Sequence, residues 1–232
     1  MRFACPRCGR PGTGKLTQES TQRDCQFCKS ETLHFDRCVA LWTYQGIVRT
    51  AVVASKYGSQ TPLGDALGRR LGRRTLEVLL PYMPPKAISD DAAYDAPNAS
   101  DSPEIVTSVP THIWRRMQRG TGGSRILAIA VAESLGQAIP DVSFCDLLAT
   151  TRQVKKQAWL GEKDRLANVK GAFRVRTAAW FRRKRPSVSG KHILLVDDVM
   201  TTGATASEVA HTLKKAGARR VTVAVVARAF SA

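Results

Sequence analysis

Two adjacent carboxylates stand beside a cluster of small hydroxylated residues in the stretch HILLVDDVMTTGATASEVAHTLKKAGARRVTVAVV, residues 192–226. Asp197 and Asp198 can accept hydrogen bonds from two neighbouring hydroxyls, such as the 2′ and 3′ positions of a ribose, and can also hold Mg²⁺, which prefers oxygen ligands. Next in line are Val199, Met200, Thr201, Thr202, Gly203, Ala204 and Thr205. Such a turn offers backbone N–H groups, threonine hydroxyls and a helix N-terminus to a phosphate dianion, and Gly203 allows close backbone approach. A diol site next to a monophosphate site describes ribose 5-phosphate. Adjacent aspartates alone would be a weak signal. The specificity lies in the complete order of apolar run, Asp-Asp, Thr-Thr-Gly-x-Thr and amphipathic segment.

Those residues need a particular frame. Ile193 to Val196 reads as a buried strand ending at the carboxylates. A helix follows, with Val209, Ala210, Leu213 and Ala216 apolar and Gly217 as its stop signal, and Val221 to Val226 reads as the next strand. Upstream, residues 39–57 read as a hairpin or as a strand leading into a helix. Leu63, Leu67, Leu71, Leu76 and Leu79 form a helical stripe across 62–80. Strands are expected at 105–110 and 144–149, a helix at 122–136 and a short edge strand at 171–175. Alternating strands and helices predict an α/β fold: a mainly parallel sheet with helices on both faces, and ligands at the strands' C-terminal edge. Residues 84–104, rich in Pro, Ser and Asp, read as a mobile surface insertion.

The N-terminus carries a second chemistry. Cys5-Pro-Arg-Cys8 and Cys25-Gln-Phe-Cys28 are two C-x-x-C pairs separated by sixteen residues. Each pair fits a tight turn, and together Cys5, Cys8, Cys25 and Cys28 offer a tetrahedral S₄ site that favours Zn²⁺. The polar segment between them cannot form a core alone, so metal would supply much of its folding energy. Disulfides are the competing reading, disfavoured where no leader directs the chain to an oxidising compartment. The N-terminus MRFACPRCGRP lacks the apolar core of a signal peptide, so a cytoplasmic location is expected. His34, Cys38 and Cys145 read as packed residues rather than ligands. The division expected is a zinc ribbon over 1–38 and one α/β domain over 39–232.

The 232 residues include 36 Lys and Arg against 19 Asp and Glu, a formal charge of +17. Basic clusters fall at Arg69–Arg70, Arg73–Arg74, Arg115–Arg116–Arg119, Lys155–Lys156, Arg182–Arg185 and Lys214–Lys215. Such an excess favours a polyanionic partner, single- or double-stranded DNA included, and also serves solubility. No run of apolar residues is long enough to span a membrane.

Five motifs occur in order: K-Y-G (56–58), V-P-T-H-I-W-R-R-M-Q-R-G (109–120), Arg152 with Gln157 and Leu160, R-L-A-N-V-K-G-A-F (165–173) and L-V-D-D-V-M-T-T-G-A-T (195–205). With the zinc ribbon before them, this set resembles the ComF family, phosphoribosyltransferase-like proteins associated with competence for DNA uptake. The resemblance covers nearly the whole chain apart from 84–104. It implies a type I phosphoribosyltransferase fold, and Asp197 and Asp198 as the catalytic pair that holds the hydroxyls of phosphoribosyl pyrophosphate (PRPP). It also implies residues 199–205 as the 5′-phosphate cradle. The turn after Val109-Pro110 corresponds to the pyrophosphate loop, with Arg115 and Arg119 nearby. Arg152, Lys155 and Lys156 fall where a flexible lid would close. Where the family usually continues with Phe-Asn-Gln, this chain has Thr121-Gly122-Gly123, without the aromatic and amide side chains. Two functions are implied: transfer of phosphoribosyl to a nitrogen acceptor with Mg²⁺, or a non-catalytic role in which the fold binds a nucleotide while the ribbon and arginines engage DNA or competence and recombination proteins.

Overall fold

Two long apolar runs set the centre of the sheet. In the computed structural model, which describes residues 4–11, 25–57, 61–80, 102–110, 123–152, 168–176 and 186–229, β6 (His192–Met200) and β7 (Arg220–Arg228) lie side by side and parallel. Both are apolar on both faces. Ile193, Leu195, Val221, Val223 and Val225 enter one core, and Leu194, Val196, Ala224 and Val226 the other. That is the pattern of parallel strands covered on each side. β1 (Arg37–Thr43), β2 (Ile105–Ser108) and β3 (Ser143–Phe144) complete a five-stranded sheet in the order β1-β7-β6-β2-β3, every neighbouring pair parallel.

The helices divide between the faces. α2 (Gly46–Ala54), α3 (Thr61–Leu79) and α4 (Gly123–Gly136) contribute to the core on one side. α5 (Ala204–Lys215) contributes to the other, together with the N-terminal cysteines and the short α1 (Gln26–Ser30). The chain runs from β2 through α4 outward to β3, but from β6 through α5 the opposite way to β7. Strand order therefore reverses between β2 and β6, which is where open α/β sheets leave a ligand crevice.

The leucine stripe of 62–80 is core in part. Leu67, Leu71 and Leu79 are buried, whereas Leu63 and Leu76 are partly covered. A stripe of Gly64, Gly68 and Gly72 lies beside it and lets α3 sit directly on α4. A Cβ on Gly68 would come within 2.7 Å of Ala130 Cβ and of the Leu127 carbonyl oxygen, and one on Gly72 within 2.6 Å of Ser134 Cβ. Gly68→Val should cost about 2–3 kcal/mol through overpacking against backbone. Gly136→Ala, whose Cβ would meet only Val142 Cγ1 at 4.0 Å, should change stability by less than about 0.5 kcal/mol. Urea unfolding of both variants checks the pair.

Three expectations about elements need correction. Residues 144–149 are not one strand: β3 ends at Phe144 and β4 (Leu148–Thr150) starts after a break. β4 leaves the main sheet to pair antiparallel with β5 (Phe173–Val175), so 171–175 is half of a separate ribbon rather than an edge of the main sheet. And β6 does not stop at Val196 but runs on to Met200. The expected insertion at 84–104 lies outside the described residues except for 102–104.

Candidate ligand site at the switch point

β2 and β6 part company just before the aspartates. Ser108 pairs with Val196, the Val109 N–H donates to the Val196 carbonyl at 2.9 Å, and β2 ends there. Beyond that point, among the described residues, β6 is paired on the β7 side only, Asp197 opposite Val225 and Met200 opposite Arg228. Asp197, Asp198 and Val199 are accordingly half-exposed, after five buried residues at His192–Val196. The Asp198 N–H donates to Asp197 Oδ1 at 2.9 Å.

Sequence reading gave no role to the group nearest the pair. Lys56 Nζ lies 2.9 Å from Asp198 Oδ2. Its seat is fixed by neighbours. The Ser55 hydroxyl donates to the Val52 carbonyl at 2.9 Å, and α4 begins so close that a Cβ on Gly123 would lie 3.4 Å from Lys56 Cα. The signal available was the K-Y-G motif itself, which carried no assigned chemistry. Burial works against the Lys56 charge, but the charge and hydrogen bond of Asp198, with Asp197 behind them, outweigh it and raise its pKa. Asp197 is held well above the usual carboxylate range by burial and then by the Asp198 charge, only partly offset by the Asp198 amide and Lys56.

A carboxyl whose pKa is raised on folding binds its proton more tightly in the folded state. Its ionisation therefore erodes stability as pH rises from the ordinary carboxylate range through the raised value. Asp197→Asn should match wild type near pH 4 and become more stable, by on the order of 1 kcal/mol, at pH 8. Thermal melts across that range test the sign. A variant less stable than wild type at pH 8 would contradict it.

The turn after β6 is built from backbone. Gly203 has φ 90 and ψ 2 and caps the start of α5, which has no acidic residue in its first turn and no side-chain cap from Gly203. Thr202 Oγ1 accepts from the Ala204 N–H at 3.3 Å, and the Ser207 N–H reaches back to the Gly203 carbonyl at 2.8 Å. Thr201 is exposed, and Thr202 and Thr205 are half-exposed. Met200, Gly203 and Ala204 are buried, so Met200 and Ala204 present only backbone to the cleft. The reason for glycine also differs from the expected one. A Cβ at 203 would face Met200 Sδ, Leu33 Cδ2 and Phe35 Cε1 at 3.6–3.8 Å. It would point into the core beneath the turn, and the left-handed φ is what demands glycine.

Of the other cationic candidates, Arg152 alone lies among the described residues. Arg152 follows β4 and donates from Nη2 to the Lys170 carbonyl at 2.9 Å. The β4–β5 ribbon is tied to α5 by the Gly171 N–H on Glu208 Oε1 at 2.8 Å. Arg115, Arg119, Lys155 and Lys156 lie outside the described residues. Some of the basic excess is balanced locally: Arg69 bridges Asp65 and Glu133, Arg74 meets Glu77, Lys191 meets Glu104 and Lys214 meets Asp36.

The four N-terminal cysteines converge. The Sγ atoms of Cys5, Cys8, Cys25 and Cys28 all lie within 4.8 Å of one another. Two pairs, Cys5–Cys28 and Cys8–Cys25, are 3.6 Å apart. A disulfide would need about 2.05 Å. The edge of a tetrahedron with 2.3 Å metal–sulfur arms is roughly 3.8 Å, so the donor set fits a structural S₄ centre. The first pair sits on a knuckle in which the Gly9 N–H donates to the Cys5 carbonyl at 2.9 Å and the Cys5 N–H to the Arg10 carbonyl at 2.8 Å. Crowding resists ionisation without a cation. Cys8 is pushed up by its bond with Cys5 and by burial, and Cys28 by burial, while Cys5 alone is pulled down by Cys8. Cys38 is buried and stands outside the group, with its thiol pushed up to about 12 by burial. His34 packs on His211, with ring centroids 4.4 Å apart.

Arg228, which sequence reading missed, joins the two sites. It is fully buried at the end of β7. Nε donates to the Cys8 carbonyl at 2.9 Å, and Nη1 to the carbonyls of Met200 at 2.9 Å and Ala229 at 2.7 Å. One guanidinium thus grips the cysteine knuckle and the base of the ligand turn. A lone arginine ending an apolar strand gives no sequence signal for this.

The sheet order, the helices on both faces and the switch-point turn define a type I phosphoribosyltransferase fold. In agreement, the family model described as "Phosphoribosyl transferase domain" matches residues 121–231. The DNA utilization protein YhgH of Escherichia coli K12 is 26% identical over 225 residues, covering 94% of this chain and 81% of the relative. Its counterpart in Salmonella typhimurium is 28% identical over 219 residues with the same coverage, and Competence protein F of Haemophilus influenzae is 29% identical over 127 residues, covering 55% of this chain and 51% of the relative. These matches support the resemblance to the ComF family. No helix among the described residues is long and apolar enough to cross a membrane.

Proposed function

We propose that residues 197–205 bind the ribose 5-phosphate part of PRPP or of a ribonucleotide 5′-phosphate, and that the protein transfers phosphoribosyl to a nitrogen acceptor. One observation carries the reading: a half-exposed carboxylate pair at the strand-order reversal, directly followed by a turn that opens a helix N-terminus with no acidic residue in its first turn. In the transfer, the acceptor nitrogen forms a bond to ribose C1, the bond from C1 to the pyrophosphate oxygen breaks, and pyrophosphate leaves with the electron pair. The acceptor's proton passes to a carboxylate of the pair or to solvent. The chain's own contribution is to fix the diol on Asp197 and Asp198 and the phosphate on the turn, leaving C1 open to attack. Mg²⁺ enters this reading with the diphosphate of PRPP, where it would neutralise the leaving group, and Arg115, Arg119, Arg152, Lys155 and Lys156 are the candidate cations around it. The four-cysteine cluster is assigned a structural Zn²⁺. The setting proposed is cytoplasmic.

A second reading keeps the ligand site and drops the chemistry: an accessory protein of DNA use that contacts DNA or competence and recombination proteins. Two observations favour it, the +17 charge and Thr121-Gly122-Gly123 in place of Phe-Asn-Gln. Steady turnover of PRPP with any nucleobase supports transfer. Binding without turnover, together with DNA affinity that falls steeply with salt, supports the accessory role.

Calorimetric titration with PRPP and Mg²⁺ tests the shared claim. Wild type should bind, and the Asp197→Asn/Asp198→Asn double variant should bind about 100-fold more weakly, because amides offer fewer acceptors and no charge. Equal affinity in the two proteins would place the diol site elsewhere.

A further inference from the structure

The carboxylate pair already has a cation of its own. Lys56 Nζ is 2.9 Å from Asp198 Oδ2, the two side chains are 29% and 18% exposed, and the lysine backbone is seated between the end of α2 and the start of α4. On the other carboxylate, Asp197 Oδ1 is taken by the Asp198 amide. Among the described residues, the only cluster of three or more side chains arranged to ligate a metal is the four cysteines. Among the described residues, the aspartates thus have no third carboxylate or histidine beside them. A hard divalent ion wants six or more oxygens and tolerates an ammonium poorly as a neighbour. With Lys56 in place, the described residues do not fit a protein-held Mg²⁺ at the pair.

We propose that Lys56 is the resident cation of this site, so that a ligand carrying ribose and a single phosphate binds without any divalent ion. The proposal rests on the ligand reading above and narrows it. The Asp198 carboxylate would repel a phosphate dianion bound nearby, and the ammonium fixed on it offsets that repulsion. An ammonium has three donors, and one is committed to Asp198, which leaves two for a ribose hydroxyl. Magnesium is then required only by a ligand that brings its own diphosphate.

The test is calorimetric titration of the full chain with ribose 5-phosphate, in EDTA and again in Mg²⁺, for wild type, Lys56→Met and Lys56→Arg. Wild type should bind equally in both buffers, within about two-fold. Lys56→Met should lose about ten-fold or more in EDTA and recover most of it with Mg²⁺, because an ion can then enter the vacated place. Lys56→Arg should stay near wild type. A purely structural role for Lys56 would lower affinity equally in both buffers, and that result overturns the proposal. So does wild-type binding that requires Mg²⁺, a comparison that stands even if Lys56→Met fails to fold. Binding of Mg·PRPP with Mg²⁺-dependent uptake of ribose 5-phosphate removes the Lys56 proposal alone. No uptake of either ligand under any condition removes the ligand reading and Lys56 with it.

Discussion

Stripping metal from the four-cysteine cluster is expected to unfold much more than an appendage. Cys5, Cys8 and Cys25 belong to the same buried core as Phe35, Leu195, Val209 and Val223, so the knuckles form part of the cover of one sheet face. The Cys38 N–H donates to the Pro6 carbonyl at 3.0 Å, which ties the first knuckle to β1. The metal's binding energy is therefore folding energy for that whole face. Protein purified without chelator should hold about one zinc per chain. Cys8→Ser should lose it together with about 5 kcal/mol or more of stability, with the melting transition of the α/β core shifting as well. Metal analysis and calorimetry check both parts. Absence of zinc from anaerobically purified protein, or an unchanged core transition in Cys8→Ser, would contradict the account.

Arg228→Met is expected to be the next most damaging change, at about 3–5 kcal/mol. The substitution removes the guanidinium donor from the carbonyls of Cys8, Met200 and Ala229, and Met200 keeps only the Ala229 N–H. The guanidinium cannot be replaced by an ammonium, because one point donor cannot span the knuckle and the turn together. Arg228→Lys should therefore recover little. A built-in tension already exists here: Nη2 is buried and has no hydrogen-bond partner among the described residues. Since Met200 leads straight into the ligand turn, the surviving folded fraction should also bind phosphate ligands more weakly. Urea unfolding within about 1 kcal/mol of wild type would show that the bridge carries little.

What could be read in the sequence was whatever a local pattern encodes. β6, α5 and β7 were visible because apolar runs, a helical stripe and Gly217 follow one another between His192 and Arg228. α3 and α4 were visible by periodicity, and the cysteine cluster by spacing. Boundaries failed where tertiary pairing decides them. β6 runs past Val196 because β7 continues to offer partners after β2 has ended. The break after Phe144 exists because β4 is recruited by β5 rather than by the sheet. The groups that tie segments together were invisible for the same reason. Lys56 and Asp198 are far apart in sequence, as are Arg228 and Cys8, and nothing in either neighbourhood announces the other. The glycines of α3 were legible in principle at i, i+4 and i+8, but leucine periodicity dominated the reading.

A crystal structure grown with ribose 5-phosphate would test the central claim most directly. The phosphate should lie against the backbone N–H groups of the turn at 203–205, and the 2′ and 3′ hydroxyls within hydrogen-bond reach of Asp197 and Asp198, with Lys56 beside the pair and no divalent ion between them. A ligand found elsewhere, with the turn at 203–205 left vacant at saturating concentration, would contradict it.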